Sequence, residues 1–277
     1  MAPLKPFQPD LAAMLAKQGD NGGAFWATAD GRWGVGSPFS TFDCALILTE
    51  LGLPRSHPAL KGIAQQILAS WREDGRLRPA PKGSVFPCHT ANAARALCRL
   101  GYARDRRLAR TFEHLLETQH TDGGWRCHTV PLGRGPTTDA SNPGVTLAAL
   151  DAFRFTPFLN LDERLDRAVQ FLLEHWRTRR PLGPCAFGIG TRFMQTEYPF
   201  LRYNLFAYVH VLSFYDAAKK APAFAVPVRA LESKLVDGGL VVENPNRKLA
   251  GLAFCRKGAV SPAATKPWLE IRKNLGI

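Results

Sequence analysis

Two kinds of helix-forming segment alternate along this chain, and the alternation limits what it can fold into more than any other feature. The first kind is apolar on nearly every face: Thr41 to Leu53, Cys88 to Tyr102, Pro143 to Phe153, Arg202 to Tyr215 and Arg247 to Cys255. A helix with so little polar surface has to be buried all round. The second kind is amphipathic and runs into a short polar stretch with Asp and Gly, as in "AQQILASWREDGRL" from Ala64, "FEHLLETQHTDGGW" from Phe112 and "RALESKLVDGGLVV" from Arg229. "LAAMLAKQGDNGGAFW" from Leu11 is a looser copy, and "AVQFLLEHWRTRRPLG" from Ala168 supplies the unit between the last two. Segments that repeat at such spacings are single supersecondary units that bury their faces by stacking on neighbours. The turns "ELGLP" and "RLGYA" place Gly where a helix end takes a left-handed residue. Alternating β-branched runs are lacking, which argues against a sizeable sheet. The pattern predicts an all-α chain, one domain over residues 1–277. About five helical hairpins, buried helix inside and amphipathic helix outside, would form a double ring.

The chain has 277 residues, 45% of them hydrophobic and 21% charged, the balance of a globular domain with a large core. No stretch reaches the ~18 apolar residues of a membrane span. "MAPLKPFQPDLAAMLAKQ" has no continuous apolar run of the kind a secretory leader needs, so a cytoplasmic protein is expected. The six cysteines are then expected as thiols, some packed and some ligands. A net charge of +13 favours an acidic partner such as a diphosphate, a nucleic acid or an anionic membrane surface. Two basic runs, Arg104 to Arg107 and Arg177 to Arg180, fall at expected helix ends and read as a solvated rim. Neither is interleaved with aromatics, as a single-strand groove would be. A nucleic-acid-associated protein remains the weaker alternative.

Gln119 followed by Asp122-Gly123-Gly124-Trp125 at the end of an outer helix resembles the repeat of the prenyltransferase and squalene-oxidase family. Pro87-Cys88-His89-Thr90, Leu97 to Tyr102 and Asp122 to Cys127 resemble the pattern of small bacterial members of that group. The resemblance covers about Leu11 to Ile271 and implies an α/α toroid, the fold of terpenoid cyclases and protein prenyltransferase β-subunits. In that fold Gln119 would hydrogen-bond backbone at a neighbouring helix end, and Trp125 would cover the junction between hairpins. The two glycines would let the chain double back with positive φ.

Cys-His-Thr occurs twice, at Cys88-His89-Thr90 and Cys127-His128-Thr129. The expected topology brings both to one mouth of the ring. Thiolate and imidazole are ligands that zinc prefers, and a catalytic zinc keeps three protein ligands and an open position. A zinc-bound thiol is deprotonated and becomes a nucleophile. The resemblance adds that protein prenyltransferases use an Asp, Cys and His set in such a toroid, and that lanthionine-forming cyclases, another α/α toroid, use two Cys and one His. Zinc on Cys88, Cys127 and His89 or His128 is the expectation, with Asp43 and Cys44 as weaker ligands. Packed cysteines, or a metal-free reactive thiol, are the alternatives, since free Cys is commonly a core residue. Cys98, Cys185 and Cys255 read as filler.

Asp43 and Asp139 are the candidate catalytic carboxylates. Arg192 and Arg202 could hold a diphosphate or carboxylate, with Tyr203, Asn204 and Phe206 as further substrate contacts. Phe42, Tyr208 and Phe214 could add to an aromatic lining suited to an isoprenoid. The sequence has no Asp-x-Asp-Asp, no Asp-Asp-x-x-Asp, no phosphate loop and no nucleophile elbow. The expected activity is alkyl or prenyl transfer, or thiol addition, to an apolar isoprenoid-like or thiol-bearing substrate. The main alternative is a toroid that binds a lipid or peptide without catalysis.

Overall fold

The computed structural model describes residues 7–128 and 135–277. Thr129, the last residue of the second Cys-His-Thr, and the extreme N-terminus lie outside the described residues. The chain is predominantly helical, with helices α1 (Gln8–Ala16), α2 (Thr41–Glu50), α3 (Pro58–Ala69), α4 (Pro87–Arg99) and α5 (Arg106–Glu117) in its first half. A short α6 (Pro136–Asp139) leads into α7 (Pro143–Phe153) and α8 (Glu163–Thr178). A short α9 (Thr191–Met194), α10 (Leu205–Leu212), a short α11 (Asp216–Lys219), α12 (Ala225–Glu232) and α13 (Pro262–Leu275) complete it. Among the described residues the only sheet is an antiparallel pair, β1 (Leu235–Val236) with β2 (Gly239–Leu240). No helix among them is long and apolar enough to cross a membrane.

The apolar segments are the buried helices, as their lack of a polar face requires. Every residue of α10 is buried, and α7 is buried except at Gly144. α2, α4, α7 and α10 pack successively on one another, and α13 packs on α10. The amphipathic α3, α5, α8 and α12 lie against α2, α4, α7 and α10 respectively. Four buried helices are thus each paired with an amphipathic helix in the expected order, but the fifth pair differs. Residues 247–255, expected as a buried helix, form two 3-10 turns, Arg247–Leu249 and Ala253–Cys255. The Asp10 carboxylate of α1 accepts the Ala253 and Phe254 amides at 3.0 and 2.9 Å, which satisfies the second turn without a helix.

The turns that end the outer helices explain the repeat. Gly75 after α3 and Gly123 after α5 both have positive φ, +85° and +94°. A Cβ on Gly75 would lie 2.6 Å from the Arg110 carbonyl, and one on Gly123 would lie 2.5 Å from the Arg167 carbonyl. Arg110 and Arg167 occupy the same place in α5 and α8, so each turn rests on the backbone of the next outer helix. Gly124 has no positive φ. Its place is fixed by close approach, because a Cβ there would sit 2.6 Å from Ser141 Cβ and Thr146 Oγ1. Gln119 Nε2 donates to the Arg164 carbonyl at 2.8 Å, and the fully buried Trp125 donates from Nε1 to the Leu115 carbonyl at 2.7 Å. Trp71 repeats the Gln119 role one unit earlier: its Nε1 donates to the Arg107 carbonyl at 3.0 Å, and Arg107 holds the place in α5 that Arg164 holds in α8.

Candidate functional site

The N-terminal ends of α4, α7 and α10 border a cavity of about 730 Å³. Its wall comprises Cys88 and Asn92 of α4, Asn142 before α7, Glu197, and Arg202, Tyr203 and Asn204 before α10. Cys127 and Cys185 enter from loops, and Arg95 and Asp151 form its deeper part. Each helix start is locally determined. Ser40 caps α2 by accepting the Asp43 amide, Asn142 caps α7 at the Gly144 and Val145 amides, and Asn204 caps α10 at the Ala207 amide. Two of these caps, Asn142 and Asn204, also face the cavity.

The expected site residues separate into two groups. Cys88, Cys127, Arg192, Arg202, Tyr203 and Asn204 all line the cavity. Phe206 does not, being fully buried against Phe200 and Tyr198. His89 turns away from the thiols. Its Nδ1 accepts the Phe86 amide at 3.4 Å and its ring lies edge-on to Phe86, beside a smaller cavity of about 220 Å³ shared with Trp33 and Phe42. His128 is buried, with Nε2 at 3.8 Å from Asp139 Oδ1 and neither ring nitrogen hydrogen-bonded. Asp139 itself accepts a hydrogen bond from Arg126 Nη2 at 2.9 Å. Cys185, read as filler, is a wall residue of the same cavity as Cys127. Cys98 and Cys255 are packed in the core as expected.

The zinc expectation is overturned. Among the described residues no group of three or more His, Cys, Asp or Glu side chains is placed so that it could hold a metal ion. The reason lies in the Cys-His pairs: successive side chains on or beside a helix start diverge, so each pair contributes its sulfur to the cavity and sends its imidazole elsewhere. The thiols are also protonated. Burial raises Cys88 to about 11, reinforced by the neighbouring Cys127 and Cys185, and burial raises Cys127 as well. A buried thiol in apolar surroundings is a poor nucleophile, which weakens the reactive-thiol alternative.

Two residues that carry the electrostatics of the site were not singled out from the sequence. Glu197 is 4% exposed, and its Oε1 has no hydrogen-bond partner; Arg202 Nε is 3.7 Å away. Burial raises its pKa to about 7, against the lowering effect of Arg192 and with help from the Asp43 charge. Asp43 lies behind it, 2% exposed with Oδ2 unpartnered, and is itself raised by burial. Asp43 thus acts on the cavity through Glu197, and Asp139 is not among the residues that line it. The second residue is His175 of α8. Its Nε2 approaches the carbonyls of Arg180 and Phe187 at 3.0 and 3.1 Å, and its Nδ1 approaches Tyr203 Oη at 2.8 Å. Carbonyls only accept, so Nε2 carries the proton and Tyr203 donates to Nδ1. Burial lowers the His175 pKa and keeps it neutral in this role, pinning both Tyr203 and the loop that carries Cys185.

The floor is ionic. Asp151, 1% exposed, accepts hydrogen bonds from Arg95 Nε and Arg154 Nε, both at 2.5 Å, and from Arg99 Nη2 at 3.3 Å. Arg95 also donates to the Phe200 carbonyl at 2.7 Å. Opposing guanidiniums hold Asp151 well below the usual carboxylate range despite complete burial.

No family model matches this chain, and no curated protein matches it.

Proposed function

We propose that this chain is a prenyltransferase-like α/α toroid enzyme that transfers an alkyl group to an acceptor hydroxyl or thiol, with Glu197 as general base. The ring is supported by the succession of α2, α4, α7 and α10, by α13 against α10, and by Asp10 of α1 binding residues Ala253 and Phe254 near the chain end. The observation that carries the chemistry is the Glu197 carboxylate, buried at the cavity with one oxygen unpartnered. A base whose pKa lies near the working pH is about half ionised and accepts a proton more readily than an ordinary carboxylate.

In the proposed step the acceptor oxygen or sulfur attacks the first carbon of the alkyl donor. The new bond to that carbon forms as the bond to its anionic leaving group breaks. The acceptor proton passes to Glu197, and the leaving group departs with the bonding electrons toward Arg192 and Arg202, which line the same wall. The neutral thiols of Cys88 and Cys127, with Val145, Leu147, Phe187 and Phe193, give the rest of the cavity an apolar surface suited to the alkyl chain. Those same neutral thiols favour a second reading, a toroid that binds a lipid or peptide and does no chemistry.

Incubation with isoprenoid diphosphates and a panel of alcohols and thiols, followed by mass spectrometry, separates the two. Transfer by the wild type, with Glu197→Gln binding the diphosphate equally and turning over at least 100-fold more slowly, is the expected result. Binding without transfer by the wild type, or equal turnover by Glu197→Gln, defeats the enzymatic reading.

A further inference from the structure

A second cavity, of about 770 Å³, opens at the C-terminal ends of the buried helices, on the other side of the Asp151 cluster from the thiols. We propose that it binds a phosphate dianion, free or as the head of a phosphate monoester. The charge balance there is the first argument. Arg55, Arg99, Arg154 and Lys266 line it, against Glu50 and Glu270. Those carboxylates are engaged by groups of the fold. Glu50 accepts from Arg99 and, at 3.1 Å, from the Tyr198 hydroxyl, and Glu270 lies 2.7 Å from His210 Nε2. Arg99 and Arg154 are further drawn to Asp151, but Asp151 is also shared with Arg95. Counting Arg95 and Asp151 with the lining groups leaves a formal excess of two positive charges around the cavity, which a phosphate dianion would balance.

The second argument is hydrogen-bonding capacity. Arg99 is 8% exposed, and its Nε–H has no hydrogen-bond partner. Buried donors are rarely left unpaired in folded proteins. Arg99 lines the cavity, and an oxyanion there would accept from the Nε–H that the protein itself leaves over. The third is rigidity. Arg154 is held between the Phe155 and Phe214 rings, its guanidinium carbon 4.3 and 4.2 Å from their centroids, and Arg55 Nε donates to the Arg99 carbonyl at 3.0 Å. A guanidinium fixed before binding loses little entropy on meeting an oxyanion. The competing role for these cations is to balance the negative ends of α2, α4 and α7, each equivalent to roughly half a charge.

Calorimetric titration with inorganic phosphate at fixed ionic strength tests the site, with phenyl phosphate in a parallel arm to distinguish a free ion from a monoester head. Saturable binding is expected, weakened at least 10-fold in Arg55→Ala/Lys266→Ala, a variant that leaves the Asp151 cluster intact. Arg192→Ala/Arg202→Ala is expected to bind phosphate as the wild type does, which separates this site from the thiol-lined cavity. No saturable binding, or binding unchanged in Arg55→Ala/Lys266→Ala, would mean that the cations serve the helix ends alone. Loss of binding in Arg192→Ala/Arg202→Ala, with none in Arg55→Ala/Lys266→Ala, would move the phosphate to the first cavity and overturn the assignment. Thermal melts of each variant, expected within a few degrees of wild type, check that the fold is retained.

Discussion

Asp151 and Glu197 line the same cavity, are almost equally hidden from water, and are driven in opposite directions. Asp151 is met by three guanidiniums and stays ionised far below the ordinary range, whereas Glu197 has a 3.7 Å approach to Arg202 and rises to about 7. Burial disfavours the charged form of both. The partners decide the outcome, and they follow from position: Asp151 sits mid-core, where α4 and α7 present Arg95, Arg99 and Arg154, while Glu197 sits on a loop facing an apolar space. A saturated carboxylate serves the fold. A starved one stores the capacity to move a proton.

The largest effect should come from the saturated side. Asp151→Asn leaves three buried guanidiniums without their shared anion, a loss of about 3–5 kcal/mol at neutral pH by denaturant unfolding. The stability that Asp151 supplies is present above its unfolded value near 3.8 and disappears as pH falls through the depressed folded value. An Asp151→Asn variant as stable as wild type would show that the cluster is not a structural centre.

The starved side has the opposite slope. Glu197 is raised, so the folded state binds its proton more tightly than the unfolded chain does. Its contribution is therefore full below its unfolded value of 4.5 and is lost as pH rises to about 7. That difference is on the order of 3 kcal/mol. Glu197→Gln should remove this decline, flattening the stability profile between those limits while leaving acid unfolding below pH 4 to Asp151. A profile unchanged by the substitution would remove Glu197 from the titrating groups.

Asp43 sharpens the contrast more modestly. Its charge helps hold Glu197 up, so Asp43→Asn should lower the Glu197 midpoint, by less than burial raises it. An unchanged midpoint would mean that Asp43 does not act on Glu197. The smallest effect expected is that of a chelator: with no metal-holding group among the described residues, EDTA should leave the melting temperature and cavity binding unaltered.

The hairpin order was legible because period and burial are encoded locally: helices such as α7 and α10 have no polar face to turn outward. The Trp125 contact is local, ten residues back to Leu115, but the Gln119 contact spans 45 residues to Arg164 and was legible only through the resemblance of its motif. The fifth hairpin was not, because a carboxylate from Asp10, at the far end of the chain, replaces the helix with a capped turn. The thiol side of the cavity could be anticipated from the two Cys-His pairs, but the direction of each imidazole could not, as it depends on Phe86 and Asp139. Glu197 carries no motif at all. Its chemistry arises from what the fold withholds from it, and an absence of partners leaves no mark in sequence. The arginines of α4 went unnoticed because apolar neighbours dominate the pattern, although two arginines one turn apart in a buried helix imply a buried anion.

The most direct measurement is a carbon-detected NMR titration of the Glu197 side-chain carboxyl, assigned by its loss in Glu197→Gln. A midpoint near 7 is the result expected of a desolvated general base whose Oε1 accepts no hydrogen bond. A midpoint at or below 4.5, the value of an ordinary glutamate, would contradict the account.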